Sequence, residues 1–377
     1  MTHRSHQWDR APEPSPDGPS LVLIGEPGAP GRTPAAVARG ISDTLEAERA
    51  AGRKPIVVWL GDVLLDGRGR LDCEARAHAF DRRGVDALAE VVRAHRAAGG
   101  SAFSLPGEAA YRCGARRALR EDPSHPAGQP GTHYVVDVLP SGDTQTVATC
   151  NDGKCTPLRQ TDARLQLVFV DLTPWIAGPR PAAHDLDLRS LDALMHALEA
   201  TEGPPRVLVA NYPVEAAGYH GVGGGDPDST AHTLAPPVVR ALKAGVFVGA
   251  IAGHDRATYA STDISDGTIR SDRVFLPHGV FQVVSGAASR PDVRSSWRRL
   301  RFNSSSAELP ERYTPRPGFA VVHMGETPEA TLHAYRGGRW QSARVPLSLH
   351  PAPRPALVHV PSVAPCMRCP QRPYNER

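Results

Sequence analysis

The chain has 377 residues, of which 40% are hydrophobic and 22% are charged, proportions that are ordinary for a globular protein. Its formal net charge of +3 is small for this length, and its basic residues are spread along the chain, so the composition argues against nucleic-acid binding. No apolar run approaches the roughly 18 residues that a membrane-spanning helix needs, so no transmembrane segment is predicted.

Apolar strands alternate with amphipathic helices from Leu21 onward. The first helix is predicted to open at Thr33-Pro34, because a proline at the first helical position costs no hydrogen bond. The predicted strands are continuous apolar runs, which are typical of a sheet covered on both faces. They occupy 21–24, 56–60, 102–105, 165–171, 206–210 and 246–251, followed by β-type runs in the C-terminal third, and further helices are predicted around 85–98, 187–200 and 235–244.

The two ends of the chain differ from its middle. Residues 1–19 are polar and lack the apolar stretch of a secretory signal, so we interpret them as a flexible leader. Residues 341–377 hold eight prolines and little periodicity, which favours an extended tail that wraps the domain or engages a partner. The folded domain is therefore predicted to span residues 20–340.

Five loops follow predicted strands and carry short polar blocks. Ligands in α/β sheets gather at the carboxyl ends of strands, so these loops are predicted to converge on one site. The blocks are IGEPG at 24–28, LGDVLLDG at 60–67, PGEAAYRCG at 106–114, ANYPVEAAGYHG at 210–221 and AGHDRATYA at 252–260.

In their order, spacing and flanking strands, these blocks resemble the motifs of the calcineurin-like metallophosphoesterases, particularly the purple (tartrate-resistant) acid phosphatase type. The resemblance covers residues 20–340. It implies an α/β fold, a four-layer α/β/β/α sandwich in which two mixed sheets pack face to face and helices flank them. In that family a pair of metal ions about 3.5–4 Å apart activates water and clamps a phosphate.

By this resemblance, one ion would be bound at the positions of Glu26, Asp62, Leu65 and Arg256. Leucine has no ligand atom and arginine repels a cation, so we expect no metal ion in this half and no dinuclear centre. We expect the Arg256 guanidinium to take the ion's place in an ion pair with Glu26 and Asp62. The alternative is an Arg256 side chain that points to solvent.

The other ion would be bound at the positions of Asp62, Glu108, Asn211 and His254. These side chains supply carboxylate, amide and imidazole ligands, which suit one divalent ion such as Mn²⁺, Mg²⁺, Zn²⁺ or Fe²⁺. The alternative is that no metal binds. The two carboxylates would then accept hydrogen bonds from neighbouring backbone amides, and His254 would be an ordinary buried histidine.

The resemblance also implies the loss of a general acid, because the third block has Ala109 and Ala110 where the family has histidine and aspartate. Such a loss costs roughly 10²–10⁴ in rate. His220, in the fourth block, is the remaining candidate for contact with an oxyanion. The sequence thus predicts a pseudo-phosphatase that acts in binding or scaffolding, with a protein partner or a phosphorylated ligand. The alternative is a divergent phosphoester hydrolase that uses a single metal ion.

The cysteines leave the compartment open. Cys150 and Cys155 flank an Asn-Asp-Gly turn, which suits a disulfide-closed hairpin in an oxidising environment. Cys366 and Cys369 form a CxxC pair, but no second pair with zinc-site spacing accompanies them. A cytoplasmic location is the default, and the paired cysteines permit an exported one.

Overall fold

The structure is a computed structural model that describes residues 18–25, 32–61, 83–107, 129–176, 181–214, 234–255, 257–261, 279–286, 288, 312–314 and 316–347. Its helices are α1 (Arg32–Ala50), α2 (Arg83–Ala97), α3 (Thr173–Ile176), α4 (Pro181–Glu199) and α5 (Pro236–Lys243). Its strands are β1 (Ser20–Ile24), β2 (Ile56–Trp59), β3 (Ser101–Ser104), β4 (His133–Val138), β5 (Thr144–Asn151), β6 (Lys154–Cys155), β7 (Leu165–Val170), β8 (Arg206–Ala210), β9 (Gly249–Ala252), β10 (Thr258–Ser261), β11 (Phe281–Ser285), β12 (Arg312–Thr314), β13 (Gly318–His323), β14 (Glu329–Arg336) and β15 (Arg339–Pro346).

The strands form two mixed sheets. In the described residues the first sheet has the order β15-β14-β13-β1-β2-β3, with β1, β2 and β3 parallel and the other three strands antiparallel. The second has the order β12-β10-β11-β9-β8-β7-β4-β5-β6, with a parallel centre made of β7, β8, β9 and β11. Parallel strands need covered faces, which explains why the centres of both sheets are runs of buried aliphatic residues.

Alternate residues of each central strand enter different apolar layers, because successive side chains of a strand point to opposite faces. The layer between the two sheets takes Leu21 and Leu23 from β1, and Leu167 and Phe169 from β7. The phenol of Tyr134 also crosses this layer, stacks on Phe169 with ring centroids 4.4 Å apart, and donates a 2.7 Å hydrogen bond to the carbonyl of Ser104. The two sheets are therefore packed face to face around one core.

Helices cover the outer face of each sheet. Val22 and Ile24 of β1 face outward against Val37 and Ile41 of α1, and α2 adds Leu88 and Val92 to the same cluster. On the other side, β7 and β8 pack against Leu194 of α4 and Val238 of α5. The four layers follow in the order helix, sheet, sheet, helix, as predicted.

The predicted strands and helices are present, although the strand predicted at 246–251 begins only at Gly249. The pattern did not predict β4 or the long ladder that β4 forms with β5. The final strand also crosses a predicted boundary. β15 pairs with β14 along its whole length, from Arg339 to Pro346, so the sheet continues past residue 340, where the sequence predicts the domain to end.

Candidate functional site

The carboxyl ends of strands from both sheets meet at one edge of the sandwich. Gly61 follows β2, and a β-carbon placed on it would lie 2.9 Å from the α-carbon of Gly107, beyond β3, and 3.6 Å from the β-carbon of Asn211, beyond β8. Gly61 also has φ 104, a conformation that favours glycine. Three of the five predicted loops thus begin within van der Waals contact of one another.

The remaining two loops begin beside them. A β-carbon on Gly253, beyond β9, would lie 2.9 Å from the β-carbon of Leu60, and one on Gly25, beyond β1, would lie 1.6 Å from the carbonyl oxygen of Ser285. The Ser285 hydroxyl in turn donates a 3.0 Å hydrogen bond to the carbonyl of Leu23. The described beginnings of all five loops therefore converge at a single edge.

Asn211 is the described candidate ligand whose hydrogen bonds are defined most fully. Its side chain is 2% exposed, and its Oδ1 accepts a 2.9 Å hydrogen bond from the backbone N–H of Leu172. Its Nδ2 donates to the hydroxyl of Thr173. An amide oxygen has two lone pairs, so a metal ion at Asn211 would share that oxygen with the Leu172 N–H.

His254 has an unusual backbone. Its φ is 65, and the Asp255 N–H donates a 2.8 Å hydrogen bond to the carbonyl of Gly253, which closes a γ-turn centred on His254. Residues other than glycine with positive φ cluster at functional sites, where surrounding packing maintains the strain. The imidazole is 4% exposed and packs against the ring of Tyr212 with centroids 4.2 Å apart. Packing thus holds His254 at this edge.

Asp255 and Tyr259 form a buried pair next to His254. The Tyr259 hydroxyl donates a 2.8 Å hydrogen bond to Oδ2 of Asp255, and Asp255 is fully buried. The sequence motifs indicated no role for this aspartate or for Tyr212. Their positions directly after His254 and Asn211 in the fifth and fourth blocks were the available signal.

A small pocket flanks this edge on the side of β4. Its walls include His133, Asp171, Trp175 and Asp187. Nδ1 of His133 accepts a 3.2 Å hydrogen bond from the Asp171 N–H, and Oδ1 of Asp171 accepts one of 3.0 Å from the Thr173 N–H. Asp171 thus connects the pocket to the turn that Asn211 holds.

The remaining predicted site residues lie outside the described residues. They are Glu26, Asp62, Leu65, Glu108, Ala109, Ala110, His220 and Arg256. The metal site at Asp62, Glu108, Asn211 and His254 and the ion pair of Arg256 with Glu26 and Asp62 therefore stay predictions. Among the described residues, no group of three or more histidine, cysteine, aspartate or glutamate side chains is placed to hold a metal ion.

The predicted cysteine pair lies far along the second sheet, on its edge hairpin. Cys150 of β5 and Cys155 of β6 are directly opposite each other, and their sulfur atoms are 2.05 Å apart, as in a disulfide. Cys150 is fully buried, and the sulfur of Cys155 lies 3.2 Å from the carbonyl oxygen of Ser190 on α4. The pair therefore lies between the hairpin and α4.

Comparison with solved structures identifies the fold, whereas comparison of sequences finds no relative. No protein-family model matches the chain, and a search of curated proteins found no match. Among solved structures the chain is similar to GAP50, described as the anchor in the inner membrane complex of Plasmodium, with 13% identity, a TM-score of 0.57, and coverage of 87% of this chain and 88% of that one. GAP50 has the calcineurin-like metallophosphoesterase fold, so the two mixed sheets with flanking helices are this fold, as predicted.

Structures of Vps29 also match, with lower TM-scores. A single mutant from Entamoeba histolytica has 12% identity and a TM-score of 0.32, with coverage of 87% of this chain and 99% of that one. The protein from Cryptosporidium parvum has 10% identity and a TM-score of 0.30, with coverage of 88% and 98%. TM-scores this low do not establish a common fold. At 13% identity, the likeness to GAP50 establishes the fold alone.

In the described part of the chain, no helix combines the length and the apolar character needed to cross a membrane.

Proposed function

We propose that this chain is a metallophosphoesterase-fold protein that works by binding a partner or ligand rather than by efficient phosphoester hydrolysis. The observation that carries the proposal is the role of Asn211. It stands where the purple acid phosphatase motif, which this block resembles, has histidine. The oxygen and the nitrogen of its amide are both hydrogen-bonded to the turn at Leu172 and Thr173. A side chain engaged in this way stabilises the loop and has only one lone pair of its amide oxygen left for a metal ion.

The substituted motif positions support the same conclusion. Leu65 and Arg256 cannot ligate one of the two metal ions that the family binds. Ala109 stands where the family has its general acid. A phosphatase that lost these groups together would retain little turnover. GAP50, which shares the fold, is described as an anchor. By analogy of fold, the edge where the five loops converge is then a surface for binding.

A single-metal hydrolase is the second candidate, and one observation favours it. His254 is buried in a conformation with positive φ at the edge where Asn211 also lies, and strain of this kind is typical of functional residues. With Asp62, Glu108 and Asn211, it would complete the predicted ligand set, which suits a divalent ion such as Mn²⁺ or Fe²⁺. The ion would then activate a water molecule for attack on phosphorus.

Metal content separates the two candidates. The purified protein is incubated with Mn²⁺, Zn²⁺, Mg²⁺ and Fe²⁺ in turn, desalted, and measured by elemental analysis. A binding protein retains no ion and shows no turnover of aryl phosphates. Retention of about one ion per chain together with turnover of aryl phosphates, both lost in His254→Ala and in Asp62→Asn but kept in His196→Ala, would instead support the hydrolase. His196 is the matched control because it lies exposed on α4.

A further inference from the structure

The β14–β15 hairpin ends in a tight two-residue turn. Gly337 and Gly338 form the two-residue connection with φ 56 and 84, and positive φ at both central residues is the mark of a type I′ turn. This turn type matches the twist of the flanking strands, so the last residues of the ladder are held in a fixed register.

That fixed register places two arginines directly opposite each other. Arg336 on β14 and Arg339 on β15 are the final pair of the ladder, and both side chains are exposed. Neither guanidinium forms an ion pair with a carboxylate of the residues that the structure describes. Like charges directly opposite each other destabilise a ladder. The opposed arginines therefore make the hairpin less stable than an uncharged pair would.

Aromatic packing anchors the base of the turn. The next pair of the ladder is Tyr335 with Trp340, whose ring centroids are 5.3 Å apart. Trp340 also packs edge-on against Phe319 of β13 at 5.5 Å. The turn thus projects from a packed support, and a ligand that binds both guanidinium groups would have little backbone to order.

The direction of the strands places the two arginines near the candidate site. β13 is antiparallel to both β1 and β14, so β14 ends at the same edge where β1 ends. Neighbouring strands are about 4.8 Å apart, so β14 lies about 10 Å from β1. Arg336 alternates with Ala334 and Leu332, and Leu332 faces the second sheet, so the arginines lie on that face beyond the end of the core.

We propose that Arg336 and Arg339 form a clamp for a phosphate dianion beside the edge where the five loops converge. Two guanidinium forks supply two positive charges and several N–H donors, which match the three terminal oxygens and double negative charge of a phosphate monoester. Binding breaks no covalent bond, and the anion removes the repulsion between the two arginines. The clamp requires no metal ion, so it stands whether or not the loops bind one.

Binding is measured by titration calorimetry at constant ionic strength in the presence of EDTA, with inorganic phosphate and with a phosphoserine peptide as the probes. The variant Arg336→Ser/Arg339→Ser is expected to bind both about tenfold or more weakly, as the loss of charge-assisted hydrogen bonds predicts. The matched control, Arg159→Ser/Arg164→Ser, makes the same charge change on exposed arginines that lie between β6 and β7 of the second sheet, outside the β14–β15 hairpin. Equal affinities in the two double variants would overturn the proposal.

The variant Arg339→Glu tests the clamp in a protein that is expected to be at least as stable as the unsubstituted chain. It converts the repulsive pair into an attractive one, so its melting temperature without phosphate is expected to rise, while the further rise on adding phosphate is lost. Tighter binding of the phosphoserine peptide than of inorganic phosphate would identify a phosphorylated chain as the source, and equal affinities would identify free phosphate. If the unphosphorylated peptide bound as tightly as its phosphorylated form, the proposal would be wrong.

Discussion

The indole ring of Trp340 on β15 lies against Gly40 of α1, where a β-carbon would come within 2.3 Å of ring atom Cζ2. The contact joins the final strand of the first sheet to its first helix. Trp340 is 36% exposed, so this packing, and not full burial, fixes the ring. Glycine is thus required in the middle of a helix, where it is otherwise unfavourable.

Gly40→Ala is expected to destabilise the protein, because the added methyl group displaces the Trp340 ring. In a Trp340→Ala background the same change is expected to stabilise it by about 1 kcal/mol, since alanine is then simply the better helix former. Urea unfolding of the four proteins in this double-mutant cycle measures the reversal. Destabilisation of equal size in both backgrounds would show that the ring does not restrict this position.

Asn211→Ala is expected to lower the free energy of unfolding by about 1–3 kcal/mol, because the buried N–H of Leu172 loses its acceptor. Thr173→Val is the matched control, since it removes only the acceptor of Asn211 Nδ2 and preserves the bond to Leu172. We expect a smaller loss for this variant. Chemical denaturation monitored by fluorescence compares them, and a larger loss for Thr173→Val would contradict the bracing role of Asn211.

His254→Gly is expected to be more stable than His254→Ala by about 1 kcal/mol, because glycine adopts a positive φ without the steric cost that a β-carbon adds. Both variants lose the contact with Tyr212, so their difference isolates the backbone. At His133 on β4 the order is expected to reverse, since glycine weakens an ordinary strand. Thermal unfolding of the four variants provides the comparison, and the same order at both positions would argue against strain at His254.

Stability is expected to fall as the pH drops from about 6.5 to about 4 because of His333. Burial, and then the nearby His323, lower the pKa of His333 from 6.5 to about 4. Between these pH values His333 is protonated in the unfolded chain but neutral in the folded protein, so acid favours unfolding. His333→Gln should flatten this part of the stability curve, while exposed His196→Gln should not. The measurement is the unfolding midpoint at several pH values. If both variants kept the wild-type dependence of stability on pH, His333 would not be its cause.

Glu48 accounts for acid sensitivity in a lower window. Burial raises its pKa, but hydrogen bonds from His323, Arg53 and Ser20 outweigh burial and bring the pKa from 4.5 to about 2. The stabilisation is complete above about pH 4.5 and is lost as the pH falls toward 2, on the order of 3 kcal/mol for a shift of this size. Glu48→Gln is less stable at neutral pH and should lose this low-pH dependence, as denaturation at pH 2–5 would show.

The sequence by itself determined that the central strands are covered on both faces and that the polar loops follow their carboxyl ends. Continuous apolar runs such as 21–24 and 206–210 have no polar face, so they predict strands covered on both sides. Because parallel strands point their carboxyl ends the same way, the loops that begin at Gly25, Gly61 and Gly253 were expected at one edge. Both inferences depend on periodicity along the chain, which is a local property.

Only the tertiary structure decided what the individual side chains do at that edge. Whether Asn211 is free to ligate a metal depends on Leu172, which lies 39 residues away in sequence. Trp340 of β15 likewise meets Gly40 of α1 only in the folded chain. Such contacts depend on which strands become neighbours, and a local pattern of residues carries no information on that choice.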